Sequence, residues 1–435
     1  MAGRALRALL WAVGFGRGAL RQGVVGASAD AAFSVKDDVA SLSPERMSRL
    51  KTFVKLWTDY DALLTKYTRR KAQDPAGDYR TMLSMAARRL RRLDMAMVKE
   101  YTSKTGELKF EANAEKVVFT TVLIRCAKAF EDLHDYAREA SYSERNLALD
   151  TCALDSEGSY KMCVSHYYNR LIILYRHHLG LPHHATYWYE QAVAKEVDGQ
   201  RLIHWPSEWH LGHDFWPGLR SQPYWEGDDE PALAALLEEH YSTIKGEFLR
   251  LREVPTYSKH WPQDNYYLTS EGDWSKLDIF RGDGWLPVCE VMPRTCEFLQ
   301  SRPEVAQLPP GQSLPAGVEV QPNGAALFRL RPGSRLKPHT GPANYRLYCH
   351  LGLVVPPGPW LRVGPGPERE WREGASRVLP GRATCFDDSY VHEAWHNGTE
   401  DRYVMMVSFW HPDLAAAGRP SPPQQTGPAG PERAA

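Results

Sequence analysis

Two histidines and an arginine in the C-terminal half have the residue types and spacing of a non-haem iron site. His339 stands just before a strand-like run, His392 follows about fifty residues later, and Arg402 lies ten positions beyond His392. Imidazole is a good ligand for Fe(II), which proteins usually hold with two histidines and one carboxylate on one face. A guanidinium within reach offers a planar fork for the far carboxylate of a dicarboxylic co-substrate. Together the three residues indicate oxygen activation at iron with a chelating organic acid.

Gly341 is the residue that this interpretation does not explain by itself. It stands two positions after His339, where the usual site would have an aspartate. A single histidine is more often an ordinary buried or surface residue than a ligand, so the metal hypothesis depends on the pair of His339 and His392. Two other histidine clusters, at residues 178–184 and 210–213, are weaker candidates, because histidines near helix ends are commoner than metal ligands.

The stretch "NYRLYCHLGL" at residues 344–353 adds polar groups to the candidate site. As a strand it directs alternate side chains to opposite faces. One face is apolar and the other carries a cation, a phenol and an imidazole: Tyr345, Leu347, Cys349 and Leu351 against Arg346, Tyr348 and His350. A strand facing solvent can show the same pattern, but the proximity of His339 and the apolar neighbouring strands favour the wall of a pocket.

The dipeptide Asn397-Gly398 lies between two apolar-rich runs and is a strong signal for a hairpin turn. From it we predict that the strand with His392 pairs with the strand with Arg402, which brings these side chains close together. Asn397-Gly398-Thr399 is also a glycosylation sequon. We favour the turn, because a bulky glycan beside a pocket would be awkward.

The sequence that positions these residues changes from a helical to a strand-like pattern near residue 255. Residues 40–250 are typical of helices: Ser43 and Pro44 form a good helix start, and apolar residues recur every three or four positions from Met47 to Tyr67. Similar patterns at Tyr79–Tyr101, Lys116–Arg138, Tyr160–His178 and Glu230–Arg252 suggest an array of helical hairpins without a fixed repeat. At residues 255–414, short alternating runs such as "VEVQ", "ALFRLR" and "YVMMVSFW" indicate a sandwich or barrel-like double sheet. The Ala-, Pro- and Gly-rich tail at 415–435 is expected to be disordered.

Composition excludes some classes of partner. The chain has 53 basic and 53 acidic residues, so its formal net charge of zero does not favour bulk capture of nucleic acid or of an anionic membrane. No window reaches the roughly 18 consecutive apolar residues of a membrane-spanning helix. The basic run "RRLRRL" at 88–93 is interpreted as the solvated face of a helix.

The N-terminus and the cysteines bear on the compartment. Residues 1–35 are interpreted as a signal or transit segment, because they are rich in arginine and contain no acid before Asp30. A secretory signal and an organelle transit peptide both remain open. The seven cysteines form no CxxC pair. Cys289 and Cys296 are close enough to close a small disulfide loop, or they are a pair of reduced thiols, depending on the compartment.

Several ordered motifs resemble the aspartyl/asparaginyl β-hydroxylase family of Fe(II)/2-oxoglutarate dioxygenases. They are "HTGPANYRLYCHLGLVVP", "FDDSYVHEAWHNG" and "SFWHPDL", with "GDWSKLDIF", "PRTCEFL" and "PGSRLKPHTGP" upstream, and they cover roughly residues 200–415. The expected fold is α+β: a helical-hairpin, repeat-like region followed by a double-stranded β-helix (jelly-roll, cupin-like) catalytic domain at 255–414. Members of the family resemble this chain in having a glycine two residues after the first histidine. The resemblance therefore implies that two histidines hold the iron, with water in place of the carboxylate.

The resemblance also implies roles for individual residues. His339 and His392 would bind Fe(II), and Arg402 and His350 would hold the co-substrate 2-oxoglutarate. Arg346 would meet a carboxylate of the substrate.

Four further positions lie near these residues in the resemblance. Asp387 and Asp388 would orient the second ligand or contact the substrate, or serve only as turn residues. Tyr348 stands where the family often has a second arginine, and Phe328 stands where it often has a hydroxyl residue. Both would touch 2-oxoglutarate, and the sequence leaves open whether they weaken its binding.

The implied reaction uses O2 and converts 2-oxoglutarate to succinate while hydroxylating the β-carbon of an Asp or Asn side chain in a polypeptide. Hydroxylation or halogenation of a free amino acid or small acid, and a catalytically impaired binding protein, are the alternatives. Cys289 and Cys296 match a cysteine pair in family members. This match favours a disulfide and the secretory pathway or endoplasmic reticulum lumen, with the mitochondrion or plastid as the alternative.

Overall fold

A computed structural model describes residues 42–73, 79–154, 157–216, 218–258, 261–262, 268–281, 284–306, 324–371 and 383–415. The expected segment 1–35, the run "VEVQ" at 318–321 and residues 416–435 of the tail lie outside the described residues. The chain divides into two compact units, Met1–His213 and Asp214–Ala435. Helices dominate the first unit and two antiparallel sheets dominate the second, which confirms the predicted order of a helical region followed by a double-stranded β-helix. No helix in these stretches is long and apolar enough to cross a membrane.

The described helices of the first unit follow the apolar periodicity of the sequence. They are α1 (Pro44–Gln73), α2 (Tyr79–Tyr101), α3 (Asn113–Leu133), α4 (Tyr136–Ala148), α5 (Glu157–Ile173) and α6 (Pro182–Val193), followed by a ribbon of β1 (Glu196–Val197) and β2 (Gln200–Arg201). Ser43 caps α1 by accepting a hydrogen bond from the backbone N–H of Arg46 at 3.3 Å. The predicted helix at 116–138 is interrupted, because His134 adopts a left-handed φ of 58° and Asp135 starts α4 by accepting from the N–H of Arg138. The predicted helix at 160–178 ends as a π-turn, Leu174–His178.

Helices α1 to α4 pack around one apolar core, which includes the fully buried Leu50, Leu90 and Leu123. A buried polar contact links α2 to α4. The carboxylate of Asp94 accepts from the hydroxyl of Tyr142 at 2.8 Å and from two guanidinium nitrogens of Arg145, each at 2.8 Å. Cys152 and Cys163 are joined by a disulfide bond.

In the second unit the described helices form a layer on one face of the larger sheet. They are α7 (Ala232–Glu239), α8 (Tyr241–Glu253), α9 (Pro255–Ser258), α10 (Pro293–Gln300) and α11 (Pro303–Ala306). The helix predicted at 230–252 is divided at His240 into α7 and α8. Phe248 on α8 shares a buried core with Leu347 and Met405 of the sheet. A disulfide joins Cys289 to Cys296 at the start of α10.

The two large sheets of the second unit are antiparallel throughout. The smaller sheet contains β4 (Thr269–Glu271), β8 (Arg335–His339), β10 (Pro359–Val363), β11 (Arg369–Glu370) and β13 (His392–His396). The larger contains β3 (Tyr224–Trp225), β5 (Trp274–Arg281), β6 (Gly284–Trp285), β7 (Ala325–Leu330), β9 (Arg346–Val354), β12 (Ala383–Phe386) and β14 (Arg402–Trp410). The smaller sheet has the strand order β11-β10-β13-β8-β4, and the larger has the order β3-β12-β9-β14-β7-β5-β6.

The predicted hairpin at Asn397-Gly398 is wrong. Strand β13 pairs with β10 and β8 in the smaller sheet, whereas β14 pairs with β7 and β9 in the larger one. The chain therefore crosses from one sheet to the other between His396 and Arg402. Glycine is needed at 398 for close packing, because a Cβ there would overlap the carbonyl oxygen of Pro357.

The predicted alternation along β9 sets the site-facing surface. Leu347 and Cys349 belong to the core under the helices, and Cys349 forms a disulfide with Cys385 of β12. Tyr348 and His350 lie on the opposite face, toward the smaller sheet. Their cross-strand partners, which share this face, are Ser408 and Met406 on β14 and Phe386 and Thr384 on β12.

Candidate active site

His339 and His392 lie side by side at adjacent strand ends. His339 ends β8, His392 begins β13, and the two residues are directly paired in the antiparallel register. Paired residues point to the same face, and the two ring centroids are 4.2 Å apart. The long separation of these histidines in sequence is therefore removed by one strand pairing.

Backbone carbonyls orient both imidazole rings. Nδ1 of His339 is 2.6 Å from the carbonyl oxygen of Lys337, and Nδ1 of His392 is 2.9 Å from that of Tyr390. A carbonyl oxygen only accepts hydrogen bonds, so Nδ1 carries the proton in each ring and Nε2 keeps its lone pair. This is the tautomer in which Nε2 can bind a metal ion.

Burial also keeps the two rings in the neutral form that a metal requires. It lowers the pKa of His339 well below its usual value, and the neighbouring His392 lowers it further. Burial likewise lowers the pKa of His392, against the opposing effect of the Asp388 carboxylate. A protonated imidazole cannot act as a ligand, so both shifts favour metal binding at neutral pH.

Asp388 occupies the space that a side chain at position 341 would need. A Cβ built on Gly341 would overlap the carboxyl group of Asp388, and the backbone N–H of Gly341 donates to the carbonyl oxygen of Asp388 at 2.6 Å. Glycine is therefore a packing requirement here. The carboxyl group that occupies this position comes from the loop before β13 and not from position 341.

Asp388 belongs to a buried polar cluster with two residues of β9. Its Oδ2 is 3.4 Å from a guanidinium nitrogen of Arg346, which also lies over the ring of Tyr348 at 5.2 Å. Burial raises the pKa of Asp388, against the opposing effects of Arg346, His392 and a hydrogen bond from Tyr348. The phenol of Tyr348 therefore forms a hydrogen bond with Asp388.

Asp387 has a local role in its turn. Its Oδ1 accepts from both the backbone N–H and the hydroxyl of Ser389, at 2.9 and 2.6 Å, and the residue is fully buried. These contacts match the turn role that the sequence left open for it.

Arg402 is a buried cation whose hydrogen-bonding edge is unused. The residue is 2% exposed, and its Nε and one terminal nitrogen, Nη2, have no hydrogen-bond partner among the described residues. Burial lowers the pKa of Arg402 to about 9, with no described carboxylate to offset the effect. A buried, unpaired charge is costly, so this position favours an anion.

His350 lies between the histidine pair and Arg402. Burial lowers the pKa of His350 well below its usual value, and the proximity of Arg402 and His392 lowers it further. Its Nδ1 has no partner among the described residues. The site therefore runs from two metal-competent imidazoles, past His350, to an unpaired guanidinium.

Two aromatic residues that sequence reasoning missed complete this wall. The Phe386 ring lies 5.6 Å from that of His392 and 5.0 Å from that of His350, and Trp371 lies against Arg402. The alternation of β12 could have identified Phe386. Trp371 follows a two-residue strand and carried no periodic signal.

Phe328 faces the same interior from β7. It stacks on Trp274 with ring centroids 5.2 Å apart, and it packs with Val404, which lies two residues beyond Arg402 on β14. Position 328 therefore contributes an apolar surface to this interior.

The residues at the histidine pair fit a ferrous ion. Two neutral imidazoles with free Nε2 atoms are suitable ligands for Fe(II), and they leave the remaining coordination positions for water and a chelating acid. No group of three or more His, Cys, Asp or Glu side chains in the described part of the chain is arranged to hold a metal ion. The weaker histidine clusters have aromatic contacts instead: His178 stacks on Tyr136 and His184 on Tyr175.

Comparisons with known proteins show which sequences this chain is similar to. Residues 238–412 match the family model described as aspartyl/asparaginyl beta-hydroxylase. The human aspartyl/asparaginyl beta-hydroxylase is 31% identical over 240 residues, which is 54% of this chain and 28% of that protein. The mouse aspartate beta-hydroxylase domain-containing protein 2 is 35% identical over 212 residues, covering 47% of this chain and 55% of that protein. The chain thus spans between about a quarter and about half of the length of these relatives.

Among solved structures, a Pseudomonas putida prolyl-4-hydroxylase aligns with 41% of this chain and 98% of its own chain, at 8% identity and a TM-score of 0.25. That likeness is too low to support a conclusion. The segment that matches the family model contains His339, His392 and Arg402, and over residues 238–412 the chain is similar to the aspartyl/asparaginyl β-hydroxylase family.

Proposed function

We propose that the chain is an Fe(II)- and 2-oxoglutarate-dependent dioxygenase that hydroxylates the β-carbon of Asp or Asn side chains in polypeptides. One observation carries the proposal: two neutral imidazoles with free Nε2 atoms share a site with a buried guanidinium that has an unused edge. A metal ligand pair at one end and an anion site at the other suit a small dicarboxylic acid that chelates the metal.

The residues of the chain would divide the work as follows. His339 and His392 would hold iron, which would supply the oxygen chemistry when bound. In the overall reaction 2-oxoglutarate loses carbon dioxide and takes one atom of O2 to become succinate, and the other atom enters the hydroxylated product. Arg402 would bind the far carboxylate through two parallel hydrogen bonds, and His350 would hold the acid between its two ends. The buried aromatic wall would exclude water from this acid.

Asp388 favours hydroxylation over halogenation. Its carboxyl group fills the space above Gly341, beside the histidine pair. A halide bound to the metal next to Asp388 would be repelled by this carboxyl group when it is ionised, whereas a water molecule could donate a hydrogen bond to it. Chlorinated product in the presence of chloride would reverse this assignment.

A binding protein without turnover is the second candidate. Phe328 stacks on Trp274, and Tyr348 donates a hydrogen bond to Asp388. Arg402 would therefore bind the far carboxylate of an acid without the help of these two residues. 2-Oxoglutarate would then bind without being converted.

The test is a succinate-release assay on the full chain with Fe(II), with and without Asp- or Asn-containing peptides and free amino acids. We expect succinate, and one added oxygen on a peptide by mass spectrometry. His392→Ala should abolish both while the circular dichroism spectrum stays unchanged. Binding of 2-oxoglutarate without succinate would favour the binding protein, and succinate from His392→Ala at the parent rate would remove His392 as a ligand.

A further inference from the structure

The indole of Trp371 covers the flat face of Arg402. The guanidinium carbon lies 3.7 Å from the centre of the indole ring, and Trp371 is 5% exposed. The backbone N–H of Trp371 donates to the carbonyl oxygen of Pro359 at 3.0 Å, which fixes the residue to β10. Its ring is also nearly parallel to that of His350, at 5.8 Å and 21°. Trp371 therefore touches both residues that face the far end of the proposed co-substrate.

The flat face of the Arg402 guanidinium is covered, whereas its N–H edge is not. A carboxylate binds a guanidinium in its plane, along the edge that carries the N–H groups. Nε and Nη2 on that edge have no partner among the described residues, whereas the face is covered by the indole. An aromatic ring attracts a cation through its face and offers no acceptor that competes for the N–H groups. The arrangement holds the guanidinium flat and leaves its edge available.

We propose that Trp371 is a positioning residue for the co-substrate: it fixes Arg402 for in-plane binding of the far carboxylate of a 2-oxo dicarboxylic acid. This inference rests on the proposed function, since it concerns the same site. It assigns a role to a residue outside the regular strands that carry the histidines.

The test is the binding of 2-oxoglutarate to the Mn(II)-loaded full chain, measured by calorimetry. Trp371→Leu removes the π-face and should weaken binding about 5- to 30-fold, the range expected when a desolvated cation–π contact is lost. Trp371→Phe keeps an aromatic face and should stay within about 3-fold of the parent. Pyruvate, a 2-oxo acid without a far carboxylate, should bind the parent and Trp371→Leu equally.

A double-mutant cycle separates positioning from general damage. In an Arg402→Met background, Trp371→Leu should have no further effect on 2-oxoglutarate binding, because the two residues act through one contact. Equal affinities of the parent and Trp371→Leu, or additive losses in the cycle, would overturn the inference. Failure of the parent to bind 2-oxoglutarate at all would instead overturn the proposed function.

A separate observation concerns Asn397. With the hairpin excluded, Asn397 and Thr399 lie in the connection between the two sheets, and both are exposed. Strand β13 begins at His392, and Asn397 follows its other end, where the Asn397 N–H donates to the carbonyl oxygen of Gly358 at 2.9 Å. Five residues of extended chain separate Asn397 from His392 by about 16 Å. A glycan at Asn397 would therefore project away from the histidine pair.

The cysteines supply an independent indication of compartment. Six of the seven form disulfides: Cys152–Cys163, Cys289–Cys296 and Cys349–Cys385. Structural disulfides persist in oxidising compartments, where N-linked glycans are also attached. We infer that Asn397 carries an N-linked glycan.

The glycan is tested on the full chain produced in mammalian cells. Asn397-Gly398-Thr399 is the one Asn-X-Ser/Thr sequence in the chain, so peptide N-glycosidase F should cause a single mobility shift. Asn397→Gln and Thr399→Ala should both lack the shift, and Thr399→Ser should retain it. A parent chain that glycosidase leaves unchanged, or a shift that persists in Asn397→Gln, would overturn the inference.

Discussion

Because residue 341 is glycine and has no Cβ, the carboxyl group of Asp388 can lie beside the histidine pair. The carboxyl group of Asp388 takes the space that a Cβ would need, and Asp388 also accepts the backbone N–H of Gly341. An aspartate at position 341, as in the usual iron site, would therefore displace the carboxyl group of Asp388. The two-histidine site is built around this glycine and not damaged by it.

Replacing Gly341 tests this packing. Gly341→Ala should lower the free energy of unfolding by about 1–3 kcal/mol, the usual cost of inserting an atom into a filled interior. The double variant Gly341→Ala/Asp388→Ala should recover part of this loss, because the overlapping carboxyl group is gone. Urea unfolding measures both variants. A Gly341→Ala chain as stable as the parent would show that Asp388 can move aside freely.

Arg402 is a second position where a single side chain is important for the site, because it would bind the far carboxylate of 2-oxoglutarate. Arg402→Lys keeps a charge but loses the planar pair of donors and the contact with Trp371. We expect the KM for 2-oxoglutarate to rise about 10-fold or more, since at least one charge-assisted hydrogen bond is lost. Steady-state kinetics at saturating peptide is the measurement, with Arg331→Lys, an exposed ion-pair residue, as the control. An unchanged KM would remove Arg402 from co-substrate binding.

At the scale of elements, strand register creates the site. The pairing of β8 with β13 places two distant histidines side by side, and the pairing of β9 with β14 places His350 opposite Met406 on the interior face. The sequence could supply the alternation of each strand, because side-chain direction has a period of two. The sequence could not show which sheet each strand joins. The Asn397-Gly398 turn signal therefore led to the wrong prediction that β13 pairs with β14.

The contact between α2 and α4 offers a test at the same scale. Asp94 is buried and accepts from Tyr142 and Arg145. Asp94→Asn leaves these donors facing a neutral amide and should destabilise the first unit by about 2–4 kcal/mol. Thermal unfolding followed by circular dichroism is the measurement, and the exposed Asp59→Asn on α1 is the control. Equal losses in both variants would mean that burial of Asp94 adds nothing.

At the scale of the whole molecule, buried neutral histidines make stability depend on pH. His411 is 1% exposed: its Nε2–H donates to the carbonyl oxygen of Arg220, and its Nδ1 accepts from the N–H of Asp413. Protonation at Nδ1 would break the second bond. Burial accordingly lowers the pKa of His411 from 6.5 to about 4.

The sign of the pH effect follows from this lowered pKa. Between pH 6.5 and about 4 the unfolded chain binds a proton at His411 that the folded chain does not, so stability falls as the pH falls through this window. The loss from this residue should be about 3 kcal/mol at most. Urea unfolding at pH 7 and pH 5 measures it, and His411→Gln should show a smaller difference between the two. An equal pH dependence in the variant would contradict the assignment.

The family match covers residues 238–412, whereas the helical first unit has no counterpart in that match. Its helices were nonetheless predictable, because an apolar stripe every three or four residues is a local property. The breaks at His134 and His240 were not predictable from this stripe, since it continues on both sides of each break.

The sequence by itself determined the residue types at the site, the periodicity of the helices and strands, and the family motifs around His339 and His392. These depend on local chemistry and on the order of neighbouring residues. The tertiary structure alone decided that Asp388 fills the space at Gly341, that Trp371 covers Arg402, and that β13 and β14 belong to different sheets. Such contacts join residues far apart in the chain, and they follow from how the sheets pack, which no local pattern specifies.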